Sequence, residues 1–368
     1  MILGIPKEIK DNEFRVAISP EGVMEIAESG AEIYVESKAG EGIGFHDQDY
    51  EKAGAKILKT KKELYEKSDL IVKVKEPQPE ECALFKEGQI LFSYLHLAAE
   101  KKMTEMLLQK KIIGIAFETV TDEQNKLPLL YPMSEIAGKL STQQGAHYLE
   151  KKNGGKGLLM GGALGCEAAT VLILGGGTVG MAAAEIAFGM GARVVIFERS
   201  FDQMRHLKDV FGKQVEVVYS STPTLRKYLP SCDLLIGTIL IPGAAAPKIV
   251  TREMIKLMQP GSVVVDVSID QGGCMETSKP TSHSNPIYFE EKVLHYCVTN
   301  MPAAVPLTSS RALEKNILPY VLRLCKNPVE KILSQDKHFA DGLQVFKGQL
   351  TSASVASSLG LSYSPVKW

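Results

Sequence analysis

The chain has 368 residues, of which 45% are hydrophobic and 23% charged, and its formal net charge is −1. One hydrophobic core seldom serves so long a chain, so two domains of ordinary size are expected, and the composition is that of a globular rather than a disordered protein. The near-zero charge and the lack of Lys/Arg clusters interleaved with aromatics leave no electrostatic footprint for nucleic acid.

Cys82, Cys166, Cys232, Cys274, Cys297 and Cys325 are scattered, with no C-x-x-C and no Cys/His grouping at zinc spacing. They read as reduced thiols of a cytoplasmic protein without a bound metal. Lys7, Glu8 and Lys10 precede any sustained apolar run, so no signal peptide is expected in this stretch. The apolar region 157–190 is interrupted by Glu167, Glu185 and many glycines, and reads as a buried parallel strand rather than a membrane span.

From residue 1 to about 130 short apolar strands alternate with amphipathic helices. Ile2 to Ile5, Leu70 to Val74, Ile90 to Tyr94 and Ile112 to Phe117 are expected strands, and Ala99 to Lys110 an expected helix. The pattern predicts an α/β domain with a parallel sheet. Lys59 to Lys67 reads as a solvated helical face. Three strand ends in this half carry unusual polar residues: Arg15 after the first strand, Lys75 after a later one, and His96 in Ser93-Tyr94-Leu95-His96-Leu97. Open parallel sheets bind ligands at such ends. Taken singly, Arg15 can be a surface cation, Lys75 a solvated strand end and His96 a hydrogen-bonded, partly buried imidazole, the last being the favoured reading of a lone histidine; their grouping at three sheet ends shifts that.

Leu129 to Lys152 is expected to be helical, opening with Met133-Ser134-Glu135. Then Val171-Leu172-Ile173-Leu174 leads into Gly175, Gly177 and Gly180 at G-x-G-x-x-G spacing, a helical segment Met181 to Met190, and a second strand ending in Glu198. That is a βαβ unit of the dinucleotide-binding kind. Gly175 makes the turn, Gly177 admits a pyrophosphate close to the backbone, and Gly180 lets helix and strand approach. The phosphates would meet the helix N-terminus. Glu198, if not merely a solvated terminus, stands where a carboxylate accepts the ribose hydroxyls; it disfavours a 2′-phosphate, although Arg199 beside it could support one. NAD is therefore the expected cofactor. Val215 to Tyr219, Asp233 to Gly237, Ser262 to Val267 and Cys297 to Asn300 read as further strands, and Asp270 ends one of them or caps the Gly272-Gly273 turn. After Pro306 a helix at Ser310 to Lys326 and a final stretch are expected to pack back onto the N-terminal half.

The architecture expected is thus α/β: two Rossmann-type, doubly wound parallel-sheet domains with an active-site cleft between them. A substrate domain would comprise 1–129 and 306–368, and a dinucleotide domain 130–305. A guanidinium and an ammonium, Arg15 and Lys75, suit a carboxylate ligand. His96 can pass a proton to an amine or carbinolamine, and Asp270 can hold a nitrogen or a water.

Gly4-Ile5-Pro6-Lys7-Glu8, Glu13-Phe14-Arg15-Val16-Ala17, Val74-Lys75-Glu76-Pro77, Tyr94-Leu95-His96-Leu97-Ala98, Gly175 to Gly180, Asp266 to Cys274 and Val298-Thr299-Asn300-Met301-Pro302-Ala303 stand in the order and spacing of the L-alanine dehydrogenases, which the chain resembles over nearly its whole length. The resemblance implies reversible NAD-dependent oxidation of L-alanine to pyruvate and ammonium by a homohexamer. Arg15 and Lys75 would bind the substrate carboxylate, and His96 and Asp270 would act as acid and base. Ser134, Thr178, Val179, Glu198, Ser220, Ile239, Leu240, Val267, Ser268, Ile269, Asp270, Val298, Thr299, Asn300 and Met301 would line the cofactor. Gln203 and Lys279 occupy places where the family often carries Lys and Arg, and Leu164 a place where proline is common. Two alternatives remain at this level: a module similar to the NAD-binding subunit of proton-translocating transhydrogenase, and a catalytically silent NAD-binding protein.

Overall fold

The computed structural model describes residues 1–239 and 246–366. The chain divides into two units, one formed by Met1–Met133 with Ala303–Trp368 and the other by Ser134–Pro302.

The first unit opens with six strands, β1 (Ile2–Ile5), β2 (Glu32–Glu36), β3 (Lys56–Leu58), β4 (Leu70–Val72), β5 (Ile90–Ser93) and β6 (Ile113–Ala116). The second contributes β7 (Thr170–Leu174), β8 (Arg193–Glu198), β9 (Glu216–Tyr219), β10 (Leu234–Gly237), β11 (Val263–Asp266), β12 (Ile287–Glu290) and β13 (Val293–Tyr296). The C-terminal segment returns β14 (Leu343–Phe346) and β15 (Gln349–Leu350) to the first unit. Its sheet runs β15-β14-β6-β5-β4-β1-β2-β3, and that of the second unit β12-β13-β11-β10-β7-β8-β9.

Both sheets are parallel in their interiors, where strands such as Leu70-Ile71-Val72 and Val263-Val264-Val265 are shut off from solvent on both faces. Their edges depart from the expected all-parallel arrangement. β14 and β15 join the first sheet antiparallel through β6, and β12 runs antiparallel to β13. Each of these hairpins turns on two residues with positive φ, Lys347-Gly348 and Glu291-Lys292. That backbone twist matches the twist of the strands they join. The C-terminal segment therefore extends the sheet as well as packing on it.

Three other expectations are corrected. The strand near 297–300 lies earlier, at Val293–Tyr296, because His295 is buried within it, its Nε2 2.8 Å from the Thr277 hydroxyl and its Nδ1 3.0 Å from the Val293 carbonyl. β11 stops at Asp266, and Asp270 sits in a one-turn 3-10 helix, Val267–Gln271. Asp266 rather than Asp270 ties this turn: its carboxylate accepts from the backbone N–H of Ser268 and Cys274 and from the Ser278 hydroxyl. The Lys61–Lys67 helix is not wholly solvated, since it buries Leu64 and Tyr65 and its Lys61 pairs with Glu36 and Glu81.

In each sheet the strand order reverses once near the middle, between β1 and β4 in the first unit and between β7 and β10 in the second. Chains leaving the carboxyl ends of two such strands turn to opposite faces and open a crevice. Arg15 follows β1, Lys75 follows β4, and the glycine loop follows β7. Among the described residues no helix is long and apolar enough to cross a membrane.

Candidate active site and dinucleotide site

In the first unit the loop after β1 leads to Arg15, which is 2% exposed. Its Nε and Nη2 donate to the two carboxylate oxygens of Glu13 at 2.6 and 2.5 Å, a bidentate fork within one loop, and Nη1 lies 3.1 Å from the Met133 sulfur. Burial opposes the charge of Arg15, but the hydrogen bonds and charge of Glu13 outweigh it and raise the guanidinium pKa. The loop is anchored to the long helix Pro306–Lys326: Val16 N–H donates to Ser310 and Ser19 N–H to the Glu314 carboxylate.

Past β4 the chain carries Lys73 and Lys75, which have different partners. Lys73 is 1% exposed and its Nζ lies 3.0 Å from both Glu8 and Glu81. Glu8 also accepts from the backbone N–H groups of Val74 and Lys75, which pins the segment presenting Lys75. The Lys75 ammonium, on a side chain 10% exposed, faces the Glu76 carboxylate at 3.5 Å. Past β5, Tyr94 donates its hydroxyl to the Leu129 carbonyl at 2.6 Å, and burial raises its pKa so that the phenol stays protonated. His96 adopts a left-handed backbone conformation, φ 48°, rare for a side-chain-bearing residue. Glu118 holds it there by accepting from the N–H groups of Leu95 and His96. The His96 ring is half exposed, and its Nδ1 lies 3.4 Å from the same Glu76 oxygen that faces Lys75.

Lys75 and His96 thus share one carboxylate, while Arg15 bonds Glu13 and Met133, and the charge of Arg15 acts on Tyr94, whose ring lies 5.9 Å from that of His96. The cations and the imidazole were visible in the sequence; Glu13, Glu76, Glu118, Tyr94 and Met133 were not singled out. Glu13 and Glu76 each stand within two residues of a cation already under suspicion, and that adjacency was the available signal.

In the second unit Gly175 has φ 100°, which a side chain would strain. A Cβ on Gly180 would meet the Gly175 carbonyl oxygen at 2.0 Å, whereas one on Gly177 would meet nothing within 4 Å among the described residues. The first two fit the turn and the tight helix–strand contact; the third leaves open space beside the backbone. Gly177 is the N-cap of the helix Thr178–Gly189, and no side chain caps it. A glycine loop with clear space, ahead of an uncapped helix start, fits a pyrophosphate. Glu198, at the end of β8, accepts from Gly176 N–H with one oxygen and from Arg199 and Ser200 N–H with the other, so its carboxylate is held at the loop.

The remaining expected cofactor residues follow the carboxyl ends of other strands. Ser220 follows β9, Ile239 β10, Val267, Ser268, Ile269 and Asp270 β11, and Val298, Thr299, Asn300 and Met301 β13. Ser134 stands in the first turn of the helix Tyr131–Leu149, and Leu240 lies outside the described residues. Asp270 is exposed, with Asn300 N–H donating to it at 3.4 Å. Gln203 reaches the Gly176 carbonyl at 2.5 Å, Lys279 pairs with Glu290, and Leu164 is fully exposed. Among the described residues no group of His, Cys, Asp and Glu is placed to hold a metal ion.

Residues 4–137 match the family model "Alanine dehydrogenase/PNT, N-terminal domain", and residues 141–353 match "Alanine dehydrogenase/PNT, C-terminal domain". The chain is 49% identical to the alanine dehydrogenase of Methanococcus maripaludis over 368 residues, covering 100% of this chain and 99% of that protein. It is 45% identical to the alanine dehydrogenase of Mycolicibacterium smegmatis over 363 residues, covering 99% and 98%. A solved L-alanine dehydrogenase superposes with a TM-score of 0.94 at 45% identity, over 98% of this chain and 99% of that one. A transhydrogenase from Sinorhizobium meliloti superposes with a TM-score of 0.81 at 22% identity, over 96% of this chain and 100% of that one, a likeness of fold alone. With both halves matched, the chain belongs to the alanine dehydrogenase/PNT family.

Proposed function

We propose that the chain is an NAD-dependent L-alanine dehydrogenase that interconverts L-alanine with pyruvate and ammonium. What supports this reading is that Arg15, Lys75 and His96 follow β1, β4 and β5 of one sheet, with Lys75 and His96 facing the same Glu76 oxygen. A buried guanidinium fixed by Glu13 loses little freedom on taking up a carboxylate, and Lys75 supplies a second, mobile cation. Together they fix the substrate by its carboxylate and so orient its Cα.

Gly175, Gly177, Thr178, Val179 and Gly180 would hold the pyrophosphate of NAD, and Glu198 the adenosine ribose. NAD, when bound there, takes the hydride from the substrate Cα or returns it. His96 removes a proton from the substrate nitrogen, then carries protons for the addition of water to the imine and for the departure of ammonia from the carbinolamine. Asp270 is assigned the positioning of the nitrogen and the attacking water. A misplacement of an ångström in such a geometry costs on the order of a hundredfold in rate. A homohexamer in the cytoplasm is part of this reading, supported by the family alone.

The test is NAD reduction by the purified chain across small L-amino acids, repeated with NADP and accompanied by a solution mass. Alanine-dependent NADH formation is expected. Its absence, with NADH still bound, would favour the transhydrogenase-like or the silent reading.

A further inference from the structure

The Glu76 carboxylate has no role in the mechanism just given, yet it lies between three of its neighbours' positive or titratable groups. Oε1 is bonded by the Lys10 ammonium. Oε2 is buried, with Lys75 Nζ at 3.5 Å and His96 Nδ1 at 3.4 Å and no shorter hydrogen bond among the described residues. Burial alone would raise its pKa, but the His96 ring beside it and the charges of Lys75 and Lys10 outweigh it and hold the carboxyl well below the usual range. An ionised carboxylate only accepts hydrogen bonds. A carboxylate oxygen facing Nδ1 at 3.4 Å favours the tautomer with the proton on that nitrogen.

We propose that Glu76 is a positioning residue for His96: its carboxylate holds the Nδ1–H, and Nε2 is left as the atom that exchanges protons with the substrate nitrogen and the adding water. Two carboxylates then fix this histidine independently, Glu118 through the backbone and Glu76 through the ring. At 3.4 Å the contact is longer than a formed hydrogen bond, and it must shorten when substrate binds for the Nδ1–H to be held. The same oxygen faces Lys75, so the anion also keeps the ammonium from repelling a protonated His96. This inference rests on the alanine dehydrogenase reading for the identity of the proton's destination, but not for the choice of nitrogen.

Glu76→Gln preserves shape and removes the charge, and its amide can present either a donor or an acceptor to Nδ1. We expect kcat to fall about tenfold to a hundredfold in both directions, with the KM for pyruvate changed less than about threefold and NADH affinity unchanged. An unchanged kcat, or a loss confined to KM, overturns the proposal, the second because it places Glu76 in carboxylate binding through Lys75. If the variant does not fold, the parent protein still decides: in 15N spectra of histidine-labelled chain, with His96→Gln identifying the signal, neutral His96 should be protonated on Nδ1. Protonation on Nε2 overturns the proposal. A parent chain without alanine turnover but with the Nδ1 tautomer would instead sink the functional reading and leave the positioning intact.

Discussion

Replacing Lys73 by methionine tests whether the buried network behind Lys75 holds the first unit in place. The substitution conserves bulk but removes an ammonium that is 1% exposed and 3.0 Å from each of two carboxylates. The two are not left equal. Glu81 keeps Lys61 at 3.0 Å and the Gln78 N–H at 2.8 Å, both of which, after Lys73 itself, help to hold its pKa below the ordinary value in the parent. Among the described residues Glu8 keeps backbone donors alone, and burial already raises its pKa against the pull of Lys73. Breaking a buried pair by removing one partner costs about 3–5 kcal/mol. Surviving partners of Glu81 favour the lower end, about 3 kcal/mol. In a unit of about 200 residues that lowers Tm by about 6–12 °C.

The pH dependence has a definite sign. In the variant the folded pKa of Glu8 rises further above its ordinary value of 4.5, so between those two values the folded state binds more protons than the unfolded one. Stability then falls as pH rises through that window. The deficit in Tm relative to the parent should be largest near about pH 8 and shrink towards about pH 5. Thermal unfolding of both proteins at the two pH values measures it, and Lys73→Met with Glu8→Gln should recover much of the loss at the higher pH. A deficit independent of pH, or a double variant as unstable as the single one, refutes the reasoning.

His96→Ala should retain NADH binding, measured by cofactor fluorescence, and lose turnover in both directions; ordinary turnover removes His96 from the mechanism. Arg15→Lys keeps the charge but gives up the planar fork, so kcat/KM for pyruvate should fall about tenfold to a hundredfold, the equivalent of one charge-assisted hydrogen bond of about 1.5–3 kcal/mol, while NADH affinity holds. Gly180→Val drives a side chain into the Gly175 carbonyl, so NADH binding should be lost and stability reduced by about 1–3 kcal/mol, read by titration and thermal unfolding. Glu198→Gln removes the charge opposed to a 2′-phosphate while Arg199 remains, and the ratio of NADP to NAD turnover should rise; an unchanged ratio means that cofactor choice is made elsewhere.

The parts of the molecule that could be read from the sequence are those whose chemistry is local. Glycines at 175, 177 and 180 announce a turn and a close approach whatever lies around them, and apolar runs such as Val171 to Leu174 announce buried strands. The edge strands escaped because they are short and because β14 is stabilised by pairing with β6, more than 200 residues earlier, with β15 added at its outer side. The 3-10 turn that carries Asp270 escaped for a similar reason: what curls the chain after β11 is the Asp266 carboxylate reaching forward to Cys274 and Ser278.

Lys73 and Lys75 show where local reading stops. Two lysines two residues apart after a strand look interchangeable, and their spacing gives no ground for separating them. The strand order separates them: with β4 beside β1, Glu8 comes to lie under the segment that follows β4, so that Lys73 is taken up by Glu8 and Glu81 while Lys75 is left to Glu76 and the cluster around His96. One lysine is spent on holding the backbone that presents the other. Substituting the first should therefore act on stability and, through Val74 and Lys75, on substrate affinity, whereas Lys75→Met should act on substrate affinity with little change in Tm. If Lys75→Met destabilised the unit as much as Lys73→Met, the division of labour drawn from the two sets of partners would be wrong.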